Sequence, residues 1–246
     1  MSRTSFILLI GSLLAAAMPE TAGATDKPPV LVELFTSQGC SSCPPADALL
    51  GELAKRPDVV ALAFHVDYWD YIGWKDPYAL PAFTARQRAY SDALGLHMVY
   101  TPQMVVDGHA DVPGSHELEL EAAIADARER PKVALSIARD PSGAYSVSIP
   151  DAPAGLAGTV ASVWIARFDR QEQTAVKRGE NAGSTLTDYN VVREFRQLGV
   201  WSGTAVELPL GIDPAAMKGS GCAVILQADP AGPVLGAAAL PMPEGY

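Results

Sequence analysis

The sequence predicts an α/β domain followed by a mainly β domain. Two observations lead to this prediction. Residues 30–66 show the order strand, helix, strand that is typical of a right-handed parallel crossover unit. From Pro131 onward the chain instead alternates short apolar runs with turn residues, a pattern typical of antiparallel β-structure. We therefore expect one domain over residues 25–130 and a second over residues 131–246.

The crossover unit consists of two apolar runs on either side of a helical segment. Residues 30–35 (VLVELF) and 59–66 (VVALAFHV) are short and apolar enough to be buried strands. The segment between them is predicted to be a helix that ends before Pro57. Its apolar positions, which recur at helical spacing, are Ala46, Leu49, Leu50 and Leu53.

Two more helices and a strand complete the predicted first domain. Residues 82–94 have a helical pattern, and residues 99–108 (VYTPQMVVDG) indicate a turn and a strand that ends in a tight turn. Residues 115–130 predict a third helix, which Ser115 can cap. The apolar stripe of this helix is predicted to consist of Leu118, Ala122 and Ala125.

The predicted second domain contains short strands and one long polar segment. Residues 140–143 (DPSG) indicate the turn of a β-hairpin. Residues 177–190 (KRGENAGSTLTDYN) are predicted to form a polar loop. The strand candidates are residues 133–138, 144–149, 159–168, 204–210, 222–227 and 235–240.

The first 24 residues are typical of an export signal. Arg3 supplies a positive charge, residues 6–18 are almost entirely apolar, and residues 22–24 (AGA) fit the small-residue cleavage rule. The apolar run is short for a bilayer span, and an uncleaved anchor is the alternative. We expect a periplasmic or secreted protein with no membrane attachment after cleavage, in a compartment where disulfides form.

The overall charge argues against one class of partner. The chain has 28 acidic and 18 basic residues, which gives a formal net charge of -10. Because no basic stripe is available to neutralise phosphates, we expect no nucleic acid partner. The sequence also has no phosphate-binding loop, zinc-protease motif or GxSxG motif, so we expect no cofactor.

Two of the three cysteines form a Cys-x-x-Cys motif at Cys40 and Cys43. Pro44 and Pro45 have no amide hydrogen and fit only the first turn of a helix, which places Cys40 at or just before the helix N-terminus. The partial positive charge at that terminus stabilises a thiolate, the reactive form of cysteine. A redox-active pair is therefore our main hypothesis.

Other interpretations of the cysteine pair remain open. The pair could be an inert disulfide, although so short a loop removes little entropy from the unfolded chain. It could also bind copper or zinc if His65 or Asp67 joined it. Cys222 lies in an apolar run and is expected to be a buried, unreactive thiol.

Five segments together resemble a known family. They are VELFTSQGCSSCPPAD (32–47), HVDYWDYIGWKDP (65–77), FTARQRAY (83–90), VYTPQMVVDG (99–108) and RGENAGSTLTDYNVVR (178–193). They resemble the secreted DUF1223 family, and CSSC after a strand with YTP before a later strand is similar to the thioredoxin-like superfamily. The resemblance implies a thioredoxin-like domain with a β-rich extension, but no particular substrate.

The resemblance also implies roles for individual residues. Cys40 matches an exposed, attacking cysteine and Cys43 the resolving one. Pro102 matches a proline that is cis in thioredoxin-like proteins, and Thr101 would then present its backbone to an extended substrate. Glu33 resembles a buried acid that accepts the proton of the resolving thiol, and a carboxylate at a sheet edge or in a salt bridge is the alternative interpretation.

Two further polar clusters are candidates for the site. Trp69 belongs to an aromatic and acidic cluster after the second strand, where it forms either a wall of the substrate groove or a packed cap over the sheet. Arg178, Glu180 and Asn181 lie in the predicted polar loop. They could reach the thiol site, fix the interface between the domains, or belong to a loop with only a structural role.

The sequence thus predicts an exported thiol-disulfide oxidoreductase that exchanges disulfides with protein thiols or disulfides. The alternative is a metal-binding or copper-delivery protein that uses the same two cysteines.

Overall fold

The computed structural model describes residues 27–213 and 219–240. The predicted export signal at residues 1–24 lies outside the described residues. Within the described part, the chain forms three α-helices, two short 3-10 helices (Asp70–Ile72 and Ala154–Leu156) and eleven strands in two sheets. The protein is therefore a mixed α/β protein, as the coarse prediction stated.

The predicted crossover unit is present. Strand β1 spans Val30–Thr36, helix α1 spans Pro44–Leu53, and strand β2 spans Val59–His65. The two strands pair in parallel along their whole length. Both prolines of the motif occupy the first turn of α1, as expected from their missing amide hydrogens.

The rest of the first part adds two helices and a hairpin. These elements are α2 (Pro81–Ala93), β3 (Gln103–Val106), β4 (Ala110–Pro113) and α3 (Glu117–Arg128). Strand β3 pairs antiparallel with β1, and β4 pairs antiparallel with β3. Asp107 and Gly108 both have positive φ angles in the turn between β3 and β4, where the sequence predicted a tight turn.

The predicted details of α3 are wrong. The residue that precedes the helix is His116 rather than Ser115, and no side chain caps this helix end. Leu118, the first residue of the predicted stripe, is 88% exposed. The buried face consists of Leu120, Ile124 and Ala127. The two sets have the same spacing but are offset by two residues, about 200° around a helix, so periodicity alone did not distinguish them.

The second part of the chain contributes seven strands. They are β5 (Ser136–Arg139), β6 (Tyr145–Ile149), β7 (Ala161–Ala175), β8 (Thr185–Trp201), β9 (Val206–Pro209), β10 (Ser220–Gln227) and β11 (Val234–Ala239). The predicted hairpin is present as β5 and β6. Strand β8 was not predicted, because its polar and half-buried residues do not form a continuous apolar run.

The strands form an eight-stranded mixed sheet and a separate three-stranded sheet. The order in the large sheet is β11-β10-β7-β8-β2-β1-β3-β4, and in the small sheet β5-β6-β9. Strand β8 joins β2 in parallel at Ala63 and Val191, and the Asn190 side chain donates a hydrogen bond to the Ala61 carbonyl oxygen at 2.8 Å. Strands from both sides of the predicted boundary at residue 130 thus share one sheet. The division into two domains stays a prediction.

The apolar core has three parts. One lies between α2 and one face of the large sheet, and includes residues of β1, β2, β7, β8, β10 and β11. The second lies on the opposite face, under α1 and α3. The third packs the small sheet against β7, β10 and β11. No helix within residues 27–213 and 219–240 is long and apolar enough to cross a membrane.

Candidate functional site

A disulfide joins Cys40 and Cys43 at the start of α1. The motif follows β1 directly, and the Cys43 amide donates to the Cys40 carbonyl oxygen at 3.2 Å. Both cysteines are 0% exposed, whereas Ser41 and Ser42 between them are exposed. The expectation of an exposed Cys40 is therefore wrong for this disulfide form, in which the surrounding elements cover both residues.

Two features of the motif favour a thiolate once the disulfide is reduced. The free amide groups and the partial positive charge at the start of α1 stabilise an anion there. In addition, the Ser42 hydroxyl oxygen lies 3.4 Å from Cys40 Sγ, within reach of a sulfur hydrogen bond.

Trp69, Thr101 and Pro102 lie near the motif. Trp69 Nε1 donates to the Thr101 hydroxyl oxygen at 2.7 Å. The Trp69 side chain also packs on Gly39, where an added Cβ would lie only 2.9 Å from the Trp69 Cβ. The peptide bond between Thr101 and Pro102 is cis. Trp69 therefore lies against Gly39, the residue that precedes Cys40, and its hydrogen bond connects Thr101 to this place.

Pro102 also lies close to α1 itself. A Cβ added at Gly114 would lie 2.8 Å from the Pro102 Cβ and 2.9 Å from the Ala46 Cβ. Because Ala46 belongs to the first turn of α1, Pro102 approaches the helix at the end that carries the disulfide.

Glu33 does not lie beside the cysteines. Side chains alternate along a strand, so Leu34 packs in the core with α1 while Glu33 points to the opposite face. There Arg86 binds its carboxylate through Nε at 2.7 Å and Nη2 at 3.1 Å, and the Tyr90 hydroxyl donates to the same carboxylate. The predicted role in accepting the Cys43 proton is therefore wrong, and the alternative of a structural salt bridge is confirmed.

A buried carboxyl group that the sequence did not predict lies on the side of the cysteines. Asp47 lies one helical turn after Cys43, and its amide donates to the Cys43 carbonyl oxygen at 3.1 Å. The residue is only 6% exposed. Burial, together with the negative charge of Asp188, raises the pKa of Asp47 to about 7. The four-residue spacing of Cys43 and Asp47 after a helix start was the signal that could have revealed it.

Asp47 belongs to a buried cluster of charged groups. His65 Nδ1 lies 2.8 Å from Asp76 Oδ2, and both side chains are buried. Burial alone would lower the pKa of His65, but the neighbouring carboxylates, Asp76 first, raise it to about 9. Burial raises the pKa of Asp188. Burial also acts to raise the pKa of Asp76, but the charge of His65 and its hydrogen bond lower that pKa below its ordinary value. The cluster thus places three carboxyl groups around one imidazolium.

Gln38 connects this charged cluster to the cysteine motif. Its amide donates to Asp76 Oδ2 at 2.8 Å, and its side-chain Nε2 donates to Asp188 Oδ2 at 2.7 Å. Trp74 Nε1 donates to Gln38 Oε1 at 3.1 Å. Asp188 belongs to β8, so the second part of the chain binds Gln38, which lies two residues before Cys40.

The structure does not assemble the metal site that was considered as an alternative. His65 is paired with Asp76, and Asp67 accepts a hydrogen bond from the Thr84 hydroxyl at 2.6 Å. Among the described residues, no group of three His, Cys, Asp or Glu side chains is arranged to hold a metal ion.

Two of the three candidates in the polar loop reach the cysteine motif. Asn181 Nδ2 donates to the carbonyl oxygens of Gln38 at 2.9 Å and Cys40 at 3.0 Å. Glu180 Oε2 accepts a hydrogen bond from the Ser41 amide at 3.2 Å. Arg178 is exposed. The connection between β7 and β8 therefore lies against the segment that carries Cys40.

Cys222 is not part of this site. It is a free, buried cysteine in β10, as expected, and burial raises its pKa to about 11. A thiol with such a pKa is almost entirely protonated at neutral pH.

The fold and the site define a mixed α/β protein with a Cys-x-x-Cys disulfide at the start of a helix. The chain belongs to the DUF1223 family, described as a protein of unknown function, whose model matches residues 31–227. This confirms the family resemblance. No curated protein matches the chain.

Two solved structures are similar to the chain. Protein AGR_C_4864 from Agrobacterium tumefaciens is 34% identical and superposes with a TM-score of 0.77, covering 91% of this chain and 98% of its own. HBP35 of Porphyromonas gingivalis is 13% identical, with a TM-score of 0.60 and coverage of 91% and 78%. The second similarity concerns the fold alone.

Proposed function

We propose that the protein is an exported thiol-disulfide oxidoreductase whose thioredoxin-like part exchanges disulfides with protein partners. The observation that carries this proposal is the Cys40–Cys43 disulfide at the N-terminus of α1, with Trp69, Thr101 and Pro102 beside it. A disulfide in this place lies at a helix end that stabilises a thiolate.

The order of elements around the motif supports the thioredoxin-like assignment. A parallel crossover carries the cysteines at the start of its helix. The antiparallel hairpin of β3 and β4 then extends the sheet beyond β1, and α3 packs with α1 on one face. The proposal of export rests on the sequence of residues 1–24 and on the use of a Cys-x-x-Cys pair in its oxidised form.

The proposed reaction is a two-step exchange. With the protein reduced, the Cys40 thiolate attacks one sulfur of the partner disulfide, forms a mixed disulfide and releases the other partner sulfur as a thiolate. Cys43 then loses its proton and attacks Cys40 Sγ, which closes the Cys40–Cys43 disulfide and releases the second partner thiol. Two electrons pass from the protein to the partner, and the same steps in reverse oxidise a partner dithiol.

We assign the proton from Cys43 to Asp47. The two residues are one turn apart on the buried side of α1, and the pKa of Asp47, raised to about 7, suits a base that works near neutral pH. Glu33 cannot take this role because it lies on the other face of the sheet and is bound to Arg86.

Trapping of the mixed disulfide tests the proposed function. In Cys43→Ala, Cys40 can attack but nothing nearby resolves the product, so a mixed disulfide with the natural partner is expected to persist in cells. Cys40→Ala is the control and is expected to trap nothing. Adding Cys222→Ala to Cys43→Ala is expected to leave the trapped set unchanged, since that thiol is buried in another part of the sheet.

The outcome also separates the alternatives. If folded, exported Cys43→Ala captures no more protein than Cys40→Ala, the oxidoreductase proposal fails. Stoichiometric copper or zinc binding to the reduced protein that disappears in His65→Ala would then support the metal-binding function.

A further inference from the structure

A carboxylate from outside the crossover unit is held against the cysteine motif. Glu180 lies in the connection between β7 and β8, and its Oε2 accepts the Ser41 amide hydrogen at 3.2 Å. Ser41 immediately follows Cys40, at the end of α1 where free amide groups favour an anion. A negative side chain is thus held next to the residue that follows Cys40.

The position of Glu180 is fixed by its neighbours. Asn181 binds the carbonyl oxygens of Gln38 and Cys40, one on each side of Gly39. Gly179 has a φ of 77° and lies so close to Trp74 that an added Cβ would be 3.3 Å from the Trp74 Cβ. Asn181 therefore anchors the loop beside Glu180, and the Glu180 carboxylate lies on the Ser41 amide.

The two redox states respond differently to this carboxylate. A disulfide carries no charge and tolerates a neighbouring carboxylate, whereas a Cys40 thiolate is repelled by it. Glu180 also occupies the Ser41 amide, one of the hydrogen-bond donors near the sulfur. The Ser42 hydroxyl, 3.4 Å from Cys40 Sγ, acts in the opposite direction because it can donate to a thiolate.

We propose that Glu180 is a positioning residue that favours the Cys40–Cys43 disulfide over the reduced, thiolate-bearing form. The inference rests on the proposed function in one respect, since it requires the disulfide to be reducible. Reduction by dithiothreitol supplies the two electrons and two protons: the protein disulfide becomes a dithiol, from which Cys40 loses a proton above its pKa, and dithiothreitol becomes its cyclic disulfide.

Four other charged groups lie near the motif, but they do not have the position of Glu180. They are Asp47 on α1, His65 on β2, Asp76 after β2 and Asp188 on β8. All four are buried beneath the motif and interact with one another, while Glu180 approaches the exposed side at Ser41. A change at Glu180 therefore leaves the buried cluster intact.

The equilibrium between the two redox states tests the proposal. Glu180→Gln keeps the shape and the hydrogen-bond acceptor but removes the charge. In dithiothreitol buffers at pH 8, its redox equilibrium is expected to shift toward the dithiol by about threefold to tenfold, because loss of a neighbouring negative charge lowers the pKa of a thiol by roughly 0.5 to 1. Glu207→Gln, at an exposed position in the small sheet, is the matched control and is expected to be unchanged.

A titration distinguishes the charge effect from a structural one. The thiolate absorbance of Cys40, measured against pH in the reduced protein, is expected to appear at lower pH in Glu180→Gln than in the wild type. The difference is expected to shrink in high salt, since the carboxylate is exposed. A shift in the redox equilibrium without a shift in this titration would overturn the proposed electrostatic cause.

Asn181→Ala tests the same proposal with a second variant. It removes the anchor of the loop without changing any charge, and it is expected to shift the equilibrium in the same direction as Glu180→Gln. Equilibria of both variants within twofold of the wild type would overturn the inference while leaving the proposed function intact. A wild-type disulfide that excess dithiothreitol does not reduce would instead overturn the proposed function.

Discussion

At the scale of single residues, two buried carboxyl groups on opposite faces of the sheet have opposite surroundings. Glu33 forms an ion pair with Arg86, and both side chains are enclosed by the core beneath α2. Asp47 has no cationic partner at hydrogen-bond distance among the described contacts and shares its environment with two other carboxyl groups. Burial therefore favours a proton on Asp47, whereas the Arg86 fork satisfies the charge of Glu33.

The raised pKa of Asp47 predicts a particular pH dependence of stability. Its folded pKa is about 7 against an ordinary 3.8, so the folded protein keeps a proton that the unfolded chain loses. The free energy of unfolding therefore falls as pH rises from about 4 to about 7. Asp47→Asn, which carries no charge at any pH, is expected to be more stable than the wild type at pH 8 by about 1 to 3 kcal/mol, and nearly equal to it at pH 4.

Urea unfolding of both proteins at a series of pH values checks this prediction. His65 contributes to the same curves, because its folded pKa of about 9 lies above the ordinary 6.5 and its stabilising contribution is lost between about pH 6.5 and 9. The Asp47 charge is one cause of that raised pKa, so in Asp47→Asn this loss is expected to end at a lower pH. An Asp47→Asn curve parallel to that of the wild type between pH 4 and 7 would contradict the assignment.

Glu33 is expected to matter for stability rather than for exchange. Glu33→Gln leaves the Arg86 guanidinium buried without its counter-charge, and loss of one partner of a buried ion pair costs about 3 to 5 kcal/mol. Glu121→Gln breaks only the half-exposed pair with Arg56 and is expected to cost less than about 1 kcal/mol. Equal unfolding midpoints for the two variants, measured in urea, would show that the ion pair with Arg86 does not stabilise the fold more than the pair with Arg56 does.

At the scale of elements, α3 and β8 show two different reasons for prediction errors. In α3 the spacing of apolar residues fits two opposite faces, and only the contact with α1 and the sheet selects the one that contains Leu120 and Ile124. In β8 the residues form neither a continuous apolar run nor a strict alternation of polar and apolar positions. The strand forms because β7 and β2 supply hydrogen-bond partners on both sides.

The orientation of α3 can be tested by two substitutions. Ile124→Ala removes buried methyl groups and is expected to lower the free energy of unfolding by about 2 to 4 kcal/mol. Leu118→Ala changes a side chain that is 88% exposed and is expected to change it by less than about 0.5 kcal/mol. Thermal or urea unfolding measures both, and the reverse ranking would indicate that the sequence-predicted stripe is the buried one.

At the scale of the whole molecule, the second part of the chain completes the first. Strand β8 lies next to β2 in the large sheet, and the Val234 amide of β11 donates to the Asp107 carbonyl oxygen at 2.8 Å. Lys132 also forms a buried ion pair with Asp107, whose other carboxylate oxygen binds the Leu31 amide. These contacts connect the strand that precedes the cysteine motif to the C-terminal strands.

We therefore expect the fragment 131–246 not to fold alone. Without residues 27–130, the β2-facing edge of β8 loses its neighbour and the apolar cluster beneath α2 loses much of its surface. The isolated fragment is expected to show no cooperative unfolding transition and little dispersion in its amide NMR spectrum, while the full chain shows both. A cooperative transition of the fragment would establish two independent domains.

The sequence by itself determined the local features of this protein. Apolar runs predicted β1 and β2, the prolines after Cys43 placed the helix start, and the residues around CSSC, YTP and RGENAG identified the family. These features depend on neighbours within a few residues, where missing amide hydrogens and side-chain periodicity act directly. The proposed exchange chemistry rests on the same local signals.

Only the tertiary structure decided which distant groups meet at the motif. In the folded chain Glu33 pairs with Arg86, Asp47 lies near Asp188, and Glu180 accepts a hydrogen bond from the Ser41 amide. The face of a strand and the reach of a loop depend on which strands become neighbours in the sheet. The residues of β8 show no clear strand pattern, so the sequence did not predict this strand. The charged cluster and the loop before β8 depend on its place in the sheet, and their positions could therefore not be predicted from residue spacing.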